Sequence, residues 1–108
     1  MNTYKNVNVE KLSNIYFEGK VISRKITLLD NTIKTLGVML PGEYEFKTQS
    51  RELMEIISGE LQLKLENYNN WETIKEGMSF NISMNSSFKV KVLKTVDYTC
   101  SYFDEFNN

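Results

Sequence analysis

Residues 37–65, GVMLPGEYEFKTQSRELMEIISGELQLKL, decide the fold of this chain. Leu61, Leu63 and Leu65 alternate with polar residues, which is the two-residue period of a half-buried strand. The dipeptides Pro41-Gly42 and Ser58-Gly59 interrupt this apolar pattern, and both are typical of turns. The stretch is therefore predicted to form four strands, joined by two turns and a short polar connection.

The same alternation continues through the rest of the chain. It is carried by Phe80, Ile82 and Met84, then by Phe88, Val90 and Val92, and finally by Tyr98, Cys100 and Tyr102. Turn residues recur roughly every 8 to 12 positions and no window holds a helical period, which favours an antiparallel sandwich or barrel. Leu93 breaks the alternation and indicates a bulge or a strand end.

Length and charge restrict the class of protein. The chain has 108 residues and a net charge of −1, with Lys and Arg spread along it, so we expect one domain and no binding to nucleic acid. We expect residues 1–12 to form an arm, 13–104 the β domain and 105–108 a tail. No apolar run is long enough to cross a bilayer and there is a single cysteine, so no membrane partner and a cytoplasmic location are expected.

The chain contains no histidine. This excludes Ser-His and Cys-His nucleophile pairs, imidazole general bases and every metal site that uses imidazole. The polar groups of any site would come from Lys, Arg, Ser, Thr, Asn and Glu.

Two sets of motifs point to a family. Glu52 lies seven residues before Gly59, as in the first cupin motif, and Gly77-x5-Ser83-x-Asn85-x2-Phe88 follows the frame of the second. More specific matches run from about Tyr16 to Phe103, in family order: YFEGKV at 16–21, GVMLPGEYEF at 37–46, ISGEL at 57–61, GMSFNI at 77–82 and YTCSYF at 98–103. With these motifs the chain resembles the pyrimidine/purine nucleoside phosphorylase family. It departs from the family pattern at Ser83, where proline is common, and in its extra N-terminal arm.

The resemblance implies an all-β, cupin-like antiparallel β-barrel of the jelly-roll type. It also implies phosphorolysis with neither a metal nor another cofactor: a nucleoside and inorganic phosphate give a free base and ribose 1-phosphate. Such small barrels leave long edge strands, and pairing would cover them, so we expect a homodimer.

Phosphorolysis requires groups that hold phosphate, grip the ribose and stabilise the departing base. The matched motifs make Glu43 and Glu52 the candidate catalytic carboxylates. The candidate substrate-binding residues are Lys20, Tyr44, Thr48, Ser58, Asn85 and Ser86, each of which also has an ordinary structural interpretation as a solvated, core or turn-capping residue. Arg24 and Arg51 are alternative phosphate ligands, although Arg51 stands next to Glu52 and we expect it to form a surface ion pair instead.

Two other functions fit the same fold, because one fold hosts many functions. A non-catalytic cupin-like module would bind a nucleoside or another small metabolite and release no base. A metal-dependent cupin oxygenase or isomerase would need ligands that this chain lacks, unless carboxylates alone held a divalent ion.

Overall fold

A computed structural model of the protein describes residues 3–103. Its strands are β1 (Asn8–Val9), β2 (Asn14–Tyr16), β3 (Val21–Thr27), β4 (Ile33–Met39), β5 (Gly42–Lys47), β6 (Arg51–Leu65), β7 (Glu72–Lys75), β8 (Ser79–Ile82) and β9 (Ser87–Phe103). No helix within this range is long and apolar enough to cross a membrane. The predicted tail at 105–108 lies outside the described residues, as do residues 1, 2 and 104.

All strand pairs in the described range are antiparallel, which confirms the predicted all-β antiparallel fold. The strand order is β1-β3-β4-β9-β6-β7, while β2 pairs with β3, β5 with β9 and β8 with β6. This path does not close on itself, so the word barrel describes the fold only loosely. The fold is an open sheet that turns back on itself around one core.

The two long strands, β6 and β9, make this turn possible. They pair along almost their whole lengths, from Arg51 opposite Phe103 to Leu65 opposite Phe88. One half of β9 also pairs with β5 and the other half with β4, so each long strand belongs to both halves of the folded sheet. Strands that pass between layers in this way bend at bulges.

The bulges lie where the register of β6 and β9 shifts, between Ile56 and Leu61. Val92 pairs with Leu61 and Lys94 with Glu60, so Leu93 is an extra residue, as its break in the alternation predicted. The prediction of a turn at Ser58-Gly59 was wrong, because β6 runs through it. Gly59 instead takes a left-handed φ of +95° within the strand, and this accommodates the bend that a turn residue was predicted to supply.

A single apolar core fills the space between the two halves. Its buried members come from β3 to β9 and include Val21, Met39, Leu61, Ile74, Ile82 and Val96. These residues face inward because strand side chains alternate between the two faces. The inner face of the half formed by β3, β4, β9 and β6 also carries the polar groups described below.

The outer face of that half is partly covered by the N-terminal arm. Val9 pairs with Ile26, and Lys34 Nζ lies 5.6 Å from the centre of the Tyr4 ring. Ile26 is buried at 1% exposure but is not a member of the main core, since it lies under the arm. Ile22, Leu36, Val38 and Ile57 remain 36–55% exposed beside the arm and form an apolar surface, here called the outer apolar patch.

Candidate active site

A cavity of about 420 Å³ opens between the two halves of the folded sheet. It is lined by Tyr16, Phe17, Ser23, Met39, Glu45, Phe46, Lys47, Glu52, Met54, Phe88, Tyr98, Cys100 and Tyr102. The volume falls within the range typical of small-molecule sites. The lining divides into an aromatic wall and a polar wall.

The aromatic wall is built from Phe17, Phe46 and Phe88. The rings of Phe46 and Phe88 are stacked with centroids 5.3 Å apart, and Phe17 meets Phe46 edge-on at 5.5 Å. Phe17 and Glu18 both have left-handed backbone, with φ of 52° and 57°, which is costly for residues other than glycine. This strained turn, Phe17–Gly19, brings the Phe17 ring against β5.

The polar wall centres on Glu52. It lies on the inner face of β6, where its Oε1 accepts a hydrogen bond of 3.4 Å from the Cys100 thiol of β9. Among the described residues it has no ion pair with Lys or Arg. Burial raises the pKa of the Glu52 carboxyl, and the Cys100 hydrogen bond opposes that rise only in part.

The hydroxyl groups of Tyr102 and Tyr98 belong to the same wall as this carboxyl. Tyr102, opposite Glu52 in the β6–β9 register, lies with its hydroxyl oxygen 3.0 Å from Thr35 Oγ1. Tyr98 faces Ser23, and its ring covers Gly37, where a Cβ would come within 2.5 Å of the ring. Burial raises the pKa of both tyrosines and of the Cys100 thiol, so all three are neutral hydrogen-bonding groups at neutral pH.

Lys47 is the one basic residue among the described residues that line the cavity. Lys20, predicted to bind substrate, and Arg24 and Arg51, the alternative phosphate ligands, lie outside the cavity lining. Lys20 is exposed just after the Phe17–Gly19 turn, and the Arg24 guanidinium donates to the Lys11 carbonyl at the outer surface. Arg51 Nη1 donates to Asn81 Oδ1 at 3.0 Å, and its guanidinium lies over the Phe103 ring.

Of the eight predicted site residues, Glu52 alone lines the cavity. Tyr44 is buried, and its hydroxyl donates to the Leu40 carbonyl at 2.6 Å. The Thr48 hydroxyl donates to the Ser83 carbonyl at 2.7 Å and accepts from the Ser86 N–H at 3.0 Å. These contacts hold loop backbone together.

The remaining predicted residues lie on turns and outward-facing positions. Ser58 donates to Asp97 Oδ2 at 3.1 Å beside the bulge of β6. Asn85 is exposed in the turn before β9, with a left-handed φ of 51°. Glu43 is exposed on β5, opposite Lys91 in the register. The geometry does not bring these three residues together with Glu52.

Sequence reasoning missed most of the cavity lining. Phe46, Phe88 and Cys100 all line the cavity, and Phe88 and Cys100 belong to the buried core as well. The signal for Cys100 and Tyr102 was present, because alternation places them on the inward side of the last strand, within the matched stretch YTCSYF. Residues 3–103 contain no group of three or more Cys, Asp or Glu side chains arranged to hold a metal ion.

Comparisons with known proteins identify the family of this chain. A model of the pyrimidine/purine nucleoside phosphorylase family matches residues 11–102. A relative of that name from Sulfurovum sp. (strain NBC37-1) is 54% identical over 102 residues, covering 94% of this chain and 99% of the relative. A relative of the same name from Clostridioides difficile (strain 630) is 50% identical, covering 94% and 97%.

Solved structures give the same fold. A crystal structure of a protein of unknown function from Acinetobacter sp. ADP1 has a TM-score of 0.91 and 40% identity, covering 94% of this chain and 98% of that one. A DUF861 family protein from Thermotoga maritima, 18% identical, shares the fold alone, with a TM-score of 0.58 over 63% of this chain and 76% of that one. The predicted cupin-like fold is thus confirmed, and the chain belongs to the pyrimidine/purine nucleoside phosphorylase family.

Proposed function

We propose that this protein is a nucleoside phosphorylase that converts purine and pyrimidine nucleosides and inorganic phosphate into free base and ribose 1-phosphate. The support is the family match over residues 11–102 and the name carried by relatives about half identical to it. A purely binding module is not favoured, because those names describe an enzyme. The proposed compartment is the cytoplasm, in keeping with a free, buried Cys100.

One observation carries the proposal at the level of the site. The cavity combines a wall of stacked aromatic rings with a half-buried carboxyl and several neutral hydroxyl groups. A nucleoside has the matching parts, since its base is a flat ring and its sugar carries hydroxyls. Every base has a face that stacks on an aromatic side chain, so such a wall accepts purines and pyrimidines alike.

In this proposal the aromatic wall and the polar wall contact different parts of the substrate. Phe46 with Phe17 binds the face of the base, while Glu52 lies beside the glycosidic bond. Lys47 attracts phosphate as a point charge, without the bidentate geometry of an arginine. Phosphate is itself the nucleophile, so the protein needs only to position the reactants and to stabilise the charge that develops as the base departs.

The proposal is tested by incubating the purified protein with nucleosides, with and without phosphate, and separating the products by chromatography. We expect base release that depends on phosphate, together with an equal amount of ribose 1-phosphate. Release without phosphate would mean a hydrolase that uses water. If no nucleoside releases base but nucleosides raise the melting temperature, the protein is a binding module.

We also propose that two copies of the chain form a homodimer through the outer apolar patch. The patch carries opposite charges on its two sides: Arg24 pairs in register with Leu36, Leu36 with Thr99, and Thr99 with Glu55. A surface that is basic on one side and acidic on the other is complementary to its own copy in a two-fold arrangement. Burying Ile22 and Ile57 there would add apolar contact.

Charge exchange between two variants tests this interface. Arg24→Glu and Glu55→Arg should each be monomeric, because each homodimer would bring like charges together. A mixture of the two should recover dimers, since every such contact in the mixed dimer joins opposite charges. Sedimentation velocity of each variant and of the mixture gives the answer. A monomeric wild type, or dimers that persist in both single variants, would refute this interface.

A further inference from the structure

The two oxygens of the Glu52 carboxyl have different surroundings. Oε1 accepts the hydrogen bond from the Cys100 thiol. Oε2 makes no hydrogen bond within residues 3–103. Every fully buried polar side-chain atom in that range has a partner, so Oε2, which has none, must be accessible. An oxygen that already accepts from a donor is the poorer place for a proton. In the acid form, the hydrogen of Glu52 therefore lies on Oε2, the oxygen open to the cavity.

The surroundings of Glu52 favour this acid form. Met54 and Ile56 follow Glu52 on the same face of β6. The Glu52 carboxyl also shares the cavity with the apolar side chains of Met39 and Phe88. Burial raises its pKa, and no cation in the described range forms an ion pair with it. A carboxyl in such a site is suited to give a proton, as a general acid does.

Titratable side chains from β2, β5 and β9 line the cavity together with Glu52. They are Tyr98, Cys100 and Tyr102 from β9, Glu45 and Lys47 from β5, and Tyr16 from β2. The three β9 groups have raised pKa values and remain neutral at neutral pH. Glu52 is a half-buried carboxyl in this set, its pKa is raised by burial, and its Oε2 is open to the cavity.

We infer that Glu52 is the catalytic acid that protonates the departing base, and that Cys100 is a positioning residue that turns the acidic oxygen of Glu52 toward the substrate. This inference rests on the proposed phosphorylase function. A phosphate oxygen bonds to C1′ of the ribose as the C1′–N bond breaks, and its electron pair moves to the base. The Oε2 proton passes to the base. Glu52 then regains a proton from solvent, while the bound monohydrogen phosphate releases its own.

A role as a hydrogen-bond acceptor for ribose hydroxyls would use the same residue in its ionised form. The two roles are distinguished by comparing nucleosides whose bases differ in their need for a proton on leaving. Guanosine leaves poorly unless its base is protonated, whereas guanosine methylated at N7 carries a positive charge on the base, which departs without a proton. Both nucleosides present the same ribose. A loss confined to guanosine therefore reports proton transfer and not sugar binding.

Glu52→Gln is compared with wild type on both nucleosides, at saturating phosphate. We expect kcat/KM for guanosine to fall by about 100-fold or more, the usual contribution of a general acid. For the N7-methylated nucleoside we expect a change of less than about threefold, because no proton transfer contributes to that reaction. Glu72→Gln, which alters an exposed glutamate on β7, is the matched control and should change neither value.

The role of Cys100 is tested by the pH dependence of kcat in Cys100→Ala and Cys100→Ser. Activity should fall as pH rises through the pKa of Glu52, because the acid form is lost. The thiol hydrogen bond lowers that pKa, so Cys100→Ala should move the fall to higher pH and reduce kcat for guanosine. Cys100→Ser retains a donor and should resemble wild type. A defect in folding alone would not change the pH at which activity falls.

The outcomes separate failure of this inference from failure of the proposed function. If wild type releases no base from either nucleoside in a phosphate-dependent way, the phosphorylase proposal fails. If wild type is active but Glu52→Gln loses the same factor on both nucleosides, Glu52 binds substrate and does not donate the proton. If both cysteine variants keep the wild-type pH profile, Cys100 does not position Glu52.

Discussion

Replacing Gly59 with alanine should destabilise the protein by roughly 2 to 6 kcal/mol, which combines the strain of a left-handed residue with the cost of overpacking. Gly59 has a φ of +95°, and a Cβ there would collide with the Thr95 carbonyl oxygen of the paired strand. Neither atom can move without opening the bulge of β6 and β9. Such a loss is a large part of the total stability of a domain of this size.

Urea unfolding, followed by circular dichroism, measures the effect. Gly77→Ala is the matched control, because Gly77 has a similar φ of +85° but no atom within 4 Å of the added Cβ. It should cost only about 1 kcal/mol, from backbone strain alone. Equal losses in the two variants would mean that the close approach of β9 to Gly59 contributes nothing.

Replacing Phe46 with alanine should lower kcat/KM for every nucleoside by roughly 5- to 150-fold, which corresponds to about 1 to 3 kcal/mol of stacking on one base. Phe46 lies between Phe17 and Phe88, with ring centroids 5.5 and 5.3 Å away, so its removal breaks the aromatic wall. Because stacking does not read base edges, the loss should be similar for adenosine, guanosine, uridine and cytidine.

The measurement is a steady-state comparison of the four nucleosides in three variants. Phe46→Tyr retains the ring and should stay close to wild type. Phe103→Ala removes an exposed ring outside the cavity lining and controls for a general effect of losing a phenylalanine. A loss restricted to purines or to pyrimidines would show that this wall selects the base, contrary to the proposal.

Most of the fold could be predicted from the sequence, because the alternation that defines each strand is a local pattern. Alternation in Leu61, Leu63 and Leu65 defines the inward face of β6 without reference to any other strand. The error at Ser58-Gly59 has a physical cause: a glycine with positive φ serves both a turn and a bulge. The choice between them depends on β9, which meets Gly59 through Thr95.

Fewer of the cavity residues could be predicted from the sequence, because the cavity is assembled from contacts between residues that are distant along the chain. Glu52 was identified because its motif spacing is local, whereas its partner Cys100 is 48 residues away. Glu43, Thr48 and Asn85 have equally polar side chains, and only the strand pairing separates them from Glu52. Lys47 carried no distinguishing pattern, because a lysine at the end of a strand is common.

The pairing of β6 with β9 also has a consequence for how the chain reaches its native state. The two strands are far apart in sequence, and β4, β5, β7 and β8 each pair with one of them. The residues that they pair lie between 23 positions apart, at Leu65 and Phe88, and 52 apart, at Arg51 and Phe103, and closing such loops is entropically costly. Refolding should therefore be slow for a protein of this length, on the order of milliseconds to seconds, as in other domains dominated by distant pairings. Because Glu52 and Cys100 lie on these two strands, their hydrogen bond can form only when that slow step is complete.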